Sequence, residues 1–290
     1  TIPGSVTSIG TYAFSGCTAL TEVLLENGST LTSENFGEVA DKVVIRWNEG
    51  NLTWTLDAEG TMAISGTGAM KNYGTNNSPA AQKKASVKKV VIEDGITSIG
   101  DYAFFDCSSL TSIEIPEGVT SIGEGAFKSC GSLTSINIPG SVTSIGNGAF
   151  AGCGKLTSIE IPSGVTNIGD ATFQGCSGLT SIEIPSNVES IGELAFSNCT
   201  VLTSITIPKS VASIGKNAFD GCTDLKEVLL ENGSTLTSES LGVDASIIKT
   251  YWNEGSLTWT LTADGTMTIS GSGAMKGYSW YSGSPATQKK

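Results

Sequence analysis

A 23-residue motif repeats six times without a gap, and it restricts the chain to a narrow group of folds. The motif reads I-P-x-x-V-T-S-I-G-x-x-A-F-x-x-C-x-x-L-T-S-I-x, and its copies begin at Ile92, Ile115, Ile138, Ile161, Ile184 and Ile207. Repeats of this length are typical of solenoids, in which each repeat forms one coil. Because most apolar neighbours of a coil belong to adjacent coils, stacking buries the core. The repeat therefore predicts an architecture and an extended surface, but it identifies no ligand.

Each repeat contains signals for a strand, a stop and an outer turn. In residues 133–138, apolar residues alternate with polar ones, as in a strand with one buried face. Pro139 ends that strand because proline has no N–H to donate to a sheet. Gly146 occupies a slot that is glycine in every repeat, which indicates positive φ or close backbone approach. Ala149 and Phe150 predict a short helical or 3₁₀ turn whose phenyl ring fills the space between coils.

All seven cysteines occupy the same slot of the repeat. Adjacent coils are expected to lie about 4.8 Å apart, within disulfide reach. Identical slots, however, direct their Cβ atoms in parallel, which is poor disulfide geometry. We therefore predict free thiols that act as small buried apolar groups and weak donors to the turn backbone.

A second module separates the repeats and occurs twice. Leu52, Trp54 and Leu56 alternate with polar residues, a turn follows, and Met62 and Ile64 continue the alternation, which predicts a β-hairpin. The stretch from Cys17 to Met70 recurs 205 residues later. The hairpin is well placed to cap one array and begin the next, since end coils expose apolar surface and strand edges.

These signals predict four segments. Because the sequence starts within a repeat, at Thr1-Ile2-Pro3, we interpret it as a fragment of a longer protein. The segments are the end of one array (1–42), a hairpin module (43–86), a second array (87–246) and a second hairpin module (247–290).

Charge and composition exclude several classes of function. The chain has 16 Lys plus Arg against 28 Asp plus Glu, a net charge of −12. Such a chain is repelled by nucleic acid and by anionic membrane surfaces. No apolar run approaches the length of a membrane span.

The residue types needed for catalysis are largely absent from the sequence. It contains no histidine, which removes Ser-His and Cys-His pairs and the commonest metal ligand. The cysteines show no C-x-x-C spacing, and no phosphate-loop motif follows a strand. We therefore predict no enzyme activity, no metal site and no cofactor.

The pattern L-x-x-I-x-I-P-x-x-V-x-x-I-G-x-x-A-F-x-x-C resembles the BspA-like, or Treponema pallidum-type, leucine-rich repeats of bacteria. The chain departs from this pattern mainly at Glu93, which replaces a proline, and at Thr172, which replaces an alanine. The resemblance implies an α/β repeat fold, a right-handed leucine-rich-repeat solenoid with short 3₁₀ or helical turns on its convex side. It also implies a secreted or cell-surface bacterial protein used in adhesion and protein binding, and it carries over no catalytic residue.

One variable column is a candidate binding site. It lies between the two strand isoleucines, on the sheet that lines the concave face of leucine-rich repeats, and comprises Glu114, Asn137, Glu160, Glu183 and Thr206. Stacked Glu160 and Glu183 form an unfavourable like-charge pair unless a cation or basic partner covers them. We hypothesise that this face binds a basic patch on a protein; the alternative is a solvated polar face.

Aromatic residues of the hairpin modules suggest a competing site. Trp280 and Tyr281 could form a platform on which a sugar ring stacks. Trp54 and Trp259 fall on the apolar phase of the hairpin, which favours the core for them.

Together these features favour a non-enzymatic extracellular binding or adhesion module. Its predicted partner is a surface or matrix protein of a host or neighbouring cell. The alternative is a structural stalk that displays other domains of a larger surface protein.

Overall fold

The structure, a computed structural model, describes residues 1–276 and consists of stacked coils. Most coils are 23 residues apart, so the predicted solenoid is confirmed. The strands are β1 (Val23–Glu26), β2 (Val43–Glu49), β3 (Leu52–Leu56), β4 (Thr61–Gly66), β5 (Gly68–Ala69), β6 (Lys89–Ile92), β7 (Ile96–Ile99), β8 (Ser112–Glu114), β9 (Ser121–Ile122), β10 (Ser144–Ile145), β11 (Asn167–Ile168), β12 (Ser190–Ile191), β13 (Ser204–Ile207), β14 (Ser213–Ile214), β15 (Glu227–Glu231), β16 (Ile248–Glu254), β17 (Leu257–Thr262) and β18 (Met267–Gly271). The short helices are α1 (Pro79–Gln82) and α2 (Ser238–Leu241), with 3₁₀ segments at Ser33–Lys42 and Ala245–Ile247.

The predicted strand after each leucine forms only at the two ends of the array. There β6 pairs with β8, and β13 pairs with β15, both in parallel. The prediction was wrong for the three middle coils, where residues 134–138, 157–161 and 180–182 form no strand. The position of proline explains the difference. Between two neighbouring middle coils, a proline follows the would-be strand of each coil. At the ends of the array one of the two paired strands lacks this proline, because Glu93 follows β6 and Glu231 ends β15. A proline on both sides removes a donor from each strand and restricts the residue before it.

A second set of strands, not predicted from the sequence, holds the coils in register. It is built mainly from the Ser-Ile dipeptides that precede the repeated glycine, with Asn-Ile in β11 and Gly-Ala in β5. Strands β5, β7, β9 and β10 form one sheet, and β11, β12 and β14 form another. Partners are equivalent residues of successive coils, for example Ser121 with Ser144 and Ile122 with Ile145.

The repeated glycine is required by close approach between coils. A Cβ atom on Gly146 would lie 2.4 Å from the Glu124 nitrogen, and one on Gly215 would lie 2.2 Å from the Glu193 nitrogen. Neither glycine is at positive φ. A side chain in this slot would therefore push the coils apart.

The outer segment of each coil is a series of hydrogen-bonded turns. Its amides alternate between two partners: Phe105 N donates to Tyr102 O in the same coil at 3.2 Å, whereas Phe104 N donates to Ala126 O of the next coil at 2.8 Å. Tyr102 and Asp106 have positive φ, 52° and 57°. These reversals interrupt what would otherwise be a 3₁₀ helix, and they direct alternate N–H groups to the neighbouring coil.

One phenylalanine per coil forms a stack through the centre of the array. Successive rings lie 5.4 to 5.8 Å apart, with interplanar angles from 4° to 13°. The stacked residues are Phe104, Phe127, Phe150, Phe173, Phe196 and Phe219. The predicted role of this residue as a filler between coils is confirmed.

All seven cysteines are free thiols, as predicted, and six of them belong to the coils of this stack. The predicted burial was wrong for Cys17, which is exposed in the N-terminal coil. In five of the seven cysteines the Sγ donates to the carbonyl of a phenylalanine 26 residues earlier, for example Cys153 to Phe127 at 3.3 Å. Burial raises the pKa of Cys107 and Cys153 to about 12. The thiolate is the reactive form, so these groups are chemically inert at neutral pH.

The first hairpin module is continuous with the array that follows it. Strands β2, β3 and β4 form an antiparallel sheet, and β4 then pairs in parallel with β6. Trp54 is fully buried and its ring lies 5.7 Å from that of Phe104. The second module repeats this arrangement in β16, β17 and β18.

Candidate functional site

The predicted column lies along one long groove on the strand side of the array. The groove has a volume of about 1240 Å³ and crosses the three middle coils. Asn137, Glu160, Glu183 and Thr206 line it, whereas Glu114 is not part of its lining. The groove lies mainly along the coils whose strands do not pair, but it also reaches Ser204 and Thr206 of β13, where Glu183 and Thr206 form an isolated bridge.

Glu114 is electrostatically neutralised by a neighbour. Its carboxylate forms an ion pair with Lys89 at 2.6 Å, and both side chains are exposed. Lys89 belongs to β6, one coil earlier, where it is in register with Ser112. This ion pair was not predicted from the repeat because Lys89 lies in an atypical first coil. Glu114 is therefore a weaker candidate for binding a basic partner.

Glu160 and Glu183 have no basic side chain beside them in the described residues. Both are exposed, and neither forms an ion pair or a side-chain hydrogen bond anywhere in residues 1–276. Their coils are those of Phe150 and Phe173, whose ring centroids lie 5.8 Å apart. The two carboxylates lie on adjacent coils, so their like charges repel, and they repel more strongly where water is displaced.

Ion pairs follow at the other end of the column. Lys249 pairs with Glu227, and Lys209 pairs with Glu231 at 3.1 Å. Burial, together with the nearby carboxylates of Glu231 and Glu183, raises the pKa of Tyr251. The uncompensated negative charge of the column is thus concentrated at its middle, on Glu160 and Glu183.

Apart from the exposed carboxylate of Glu117, the rest of the groove lining is neutral and mostly small. It includes serine hydroxyls at Ser158 and Ser181 and the prolines Pro139, Pro162 and Pro185. Hydroxyls can donate to or accept from a ligand, and the prolines give a rigid wall. The arrangement can recognise ammonium or guanidinium groups. In the described residues, no cluster of three or more Cys, Asp and Glu side chains is placed to hold a metal ion.

The aromatic platform is outside the part of the chain that is described. Trp280 and Tyr281 both lie after residue 276. The expectation that Trp54 and Trp259 belong to the core is confirmed, because both are buried. Tyr73 is buried too, and burial followed by its hydrogen bond to Glu49 raises its pKa.

Comparison with known families assigns the repeat. A family model described as "BspA type Leucine rich repeat region" matches residues 1–39, 77–199 and 143–250, with 6 copies. The chain belongs to the BspA-type leucine-rich repeat family. The resemblance stated from the motif is therefore confirmed. Members of this family are repeat proteins, and the comparison supports a protein-binding or structural role for the chain.

Two solved structures resemble this BspA-type chain. One is a leucine-rich cell surface protein from Faecalibacterium prausnitzii A2-165, with 28% identity and a TM-score of 0.54 over 77% of this chain. The chain spans 60% of the length of that protein. The other is the T. pallidum leucine-rich repeat protein, with 24% identity and a TM-score of 0.50 over 62% of this chain and 90% of that one, a likeness of fold alone. A search of curated proteins found no match.

Proposed function

We propose that the chain is a non-enzymatic binding module of a bacterial cell surface, which recognises proteins through the groove. The observation that carries this proposal is the contrast within one column of residues. Glu114 has a lysine partner, whereas Glu160 and Glu183 face a groove of about 1240 Å³ without one. A basic patch on a partner would relieve their repulsion and supply the missing counter-charge.

The surface location is supported by a relative, since the Faecalibacterium prausnitzii structure is titled a cell surface protein. No helix in residues 1–276 is long and apolar enough to cross a membrane. The proposed partners are extracellular matrix proteins or surface proteins of a host or neighbouring cell.

The test is binding of the chain to immobilised matrix proteins and glycans at low and at physiological salt. We expect saturable binding to a basic protein that weakens as salt rises, because charge pairs at a groove are screened. In the double variant Glu160→Gln and Glu183→Gln, we expect the dissociation constant at low salt to rise about 10-fold or more and its salt dependence to flatten.

The matched control is the double variant Glu189→Gln and Glu193→Gln, which removes the same charge from exposed positions outside the groove. It is expected to change the dissociation constant by less than about 2-fold. Unchanged affinity and salt dependence in the groove variant would refute the role of Glu160 and Glu183.

The second candidate is a stalk that displays other domains. The continuous packing of the first hairpin module onto the array favours it, because the two form one uninterrupted core. A folded chain that binds none of the immobilised proteins and glycans would support the stalk.

A further inference from the structure

The two hairpin modules have nearly the same sequence, but one edge is covered in the first and open in the second. In the first module, β4 lies beside β6 and pairs with it from Thr61 to Ile64. The equivalent strand of the second module, β18, is the last strand of its sheet within the described residues. The duplication therefore shows one surface in two states, with and without an occupant.

Apolar side chains beside this edge are buried in the first module and exposed in the second. Ile64 is 0% exposed and Met70 is 4% exposed, whereas their equivalents Ile269 and Met275 are 42% and 58% exposed. These two are among the three large apolar side chains that residues 1–276 expose. In the first module Ile64 and Met70 share one core with Val90, Ile92 and Ile96 of the first coil and with Tyr73 and Ala80, whose second-module equivalents lie outside the described residues.

The backbone of the open edge already has the conformation of the covered one. Gly66 and Gly68 have φ of 113° and 103°, and their equivalents Gly271 and Gly273 have φ of 105° and 123°. In the first module this geometry lets Gly68 N donate to Gly95 O of the coil at 2.9 Å. The second module needs no rearrangement to form the same bond.

Space for the incoming coil is present at the turn of the hairpin. Lys88 N donates to Gly60 O at 2.8 Å, and a Cβ on Gly60 would lie 2.4 Å from Ser86 O. The equivalent Gly265 has nothing within 4 Å of that position. In the first module residues 86–88 lie against this turn, and in the second module no described residue lies there.

We infer that the β18 edge is a docking site for the first coil of a leucine-rich array with the sequence features of residues 87–110. The incoming strand pairs in parallel with β18, and its last isoleucine takes the place opposite Ile269 that Ile92 takes opposite Ile64. This is addition of a strand to an exposed sheet edge. The inference does not depend on the groove or on its ligand.

The identity of the occupant is limited by one glycine. Gly95 has φ of 101°, and a Cβ on it would lie 2.7 Å from Gly66 O. The N-terminal coil of a second copy matches the first coil at Ile2 and Phe14 but has Ser5 in this place. Its Cβ would meet the carbonyl of Gly271, so the site selects an array's first coil over a second copy's N-terminal coil.

The test is a fusion in which a second copy of residues 85–246 directly follows Lys290. Amide hydrogen exchange is measured over β18 in the fusion and in the 290-residue chain. We expect exchange of the β18 amides to slow by about 10-fold or more in the fusion, because these groups gain partners. Unchanged exchange would overturn the inference.

Two variants make the result specific. We expect Ile269→Asp to leave the 290-residue chain folded, because the side chain is 42% exposed there, and to abolish the added protection in the fusion. Asn253→Asp, at an exposed position of β16, places the same charge two strands away from the edge and should leave the protection intact. Concentration-dependent self-association of the 290-residue chain that Ile269→Asp removes would show a second copy as the occupant and overturn the choice made here.

Discussion

At the scale of single residues, the outer turns contain a backbone position that the sequence pattern concealed. Each coil of the array has two residues in the left-handed region, four positions apart, and the first of them has φ between 52° and 60°. The occupants of this position are Tyr102, Gly125, Gly148, Ala171, Leu194 and Asn217. Because their side chains differ widely, inspection of the repeat singled out a different glycine, Gly146 and its equivalents. That second glycine is required by contact, not by φ.

Two neighbouring coils provide a matched pair of substitutions at the left-handed position. Ala171→Gly should stabilise the chain by up to about 1 kcal/mol, because glycine adopts this conformation without the steric cost that alanine pays. Gly148→Ala should destabilise it by about the same amount, since the nearest atom to an added Cβ is 3.9 Å away and only the backbone cost remains. Urea unfolding of both variants measures the two shifts.

The control is Gly146→Ala, at the contact position with ordinary φ. It should destabilise more than Gly148→Ala, because its Cβ would lie 2.4 Å from backbone. Shifts of the same sign for Ala171→Gly and Gly148→Ala would contradict the strain argument.

At the scale of the element, one coil is stable only through its neighbours. Phe150 is fully buried between Phe127 at 5.5 Å and Phe173 at 5.8 Å. We expect Phe150→Ala to cost about 3–5 kcal/mol, because it removes a large ring from a site that cannot collapse without shifting two coils. The free energy of unfolding from urea titration measures this cost.

Phe105→Ala provides the comparison within the same kind of turn. The Phe105 ring is only partly buried and lies edge-on to Tyr102 at 5.9 Å, outside the stack. Its removal should cost about 1 kcal/mol or less. If both substitutions had the same small effect, the stack would not be the main support of the coil.

The strands themselves illustrate what an alternating pattern can and cannot specify. Alternation placed Ile136 and Ile138 correctly inside the molecule, and both are buried. It could not determine whether their backbone pairs with the next coil, because pairing depends on the spacing that other parts of the coil impose. Here the Ser-Ile strands and the outer turns set that spacing.

At the scale of the whole molecule, the described residues contain two separate hydrophobic cores. The larger core runs from Trp47 to Leu241 and includes the first hairpin module and the array. The smaller one comprises six buried residues from Val23 to Val43. The boundary between residues 42 and 43 stays a prediction, and β1 still pairs with β2 across it.

Two strands of identical sequence should therefore differ in stability. Residues 22–27 and 227–232 both read Glu-Val-Leu-Leu-Glu-Asn, so their intrinsic exchange rates are equal. β15 lies inside a sheet between β13 and β16, whereas β1 has β2 on one side and a single bridge to Ile2 on the other. We expect β1 amides to exchange at least about 10-fold faster than β15 amides in native-state hydrogen exchange.

Measurement at several denaturant concentrations serves as the control, since local opening of the smaller core should depend weakly on denaturant and global unfolding strongly. Equal protection of the two strands would mean that residues 1–42 unfold together with the array.

The sequence alone determined the solenoid, the family, the buried phenylalanine and cysteine slots, and the glycine demanded by close approach. All of these follow from contacts between equivalent residues 23 positions apart, which a periodic sequence displays directly. The tertiary structure decided which segments pair as strands and which glutamates keep their charge, and it left the β18 edge open. These depend on residues that interrupt the repeat, such as Lys89 beside Glu114, and Glu93 and Glu231, which stand where the middle coils have proline. A one-dimensional pattern cannot give their distances, because only the folded chain sets the spacing between coils.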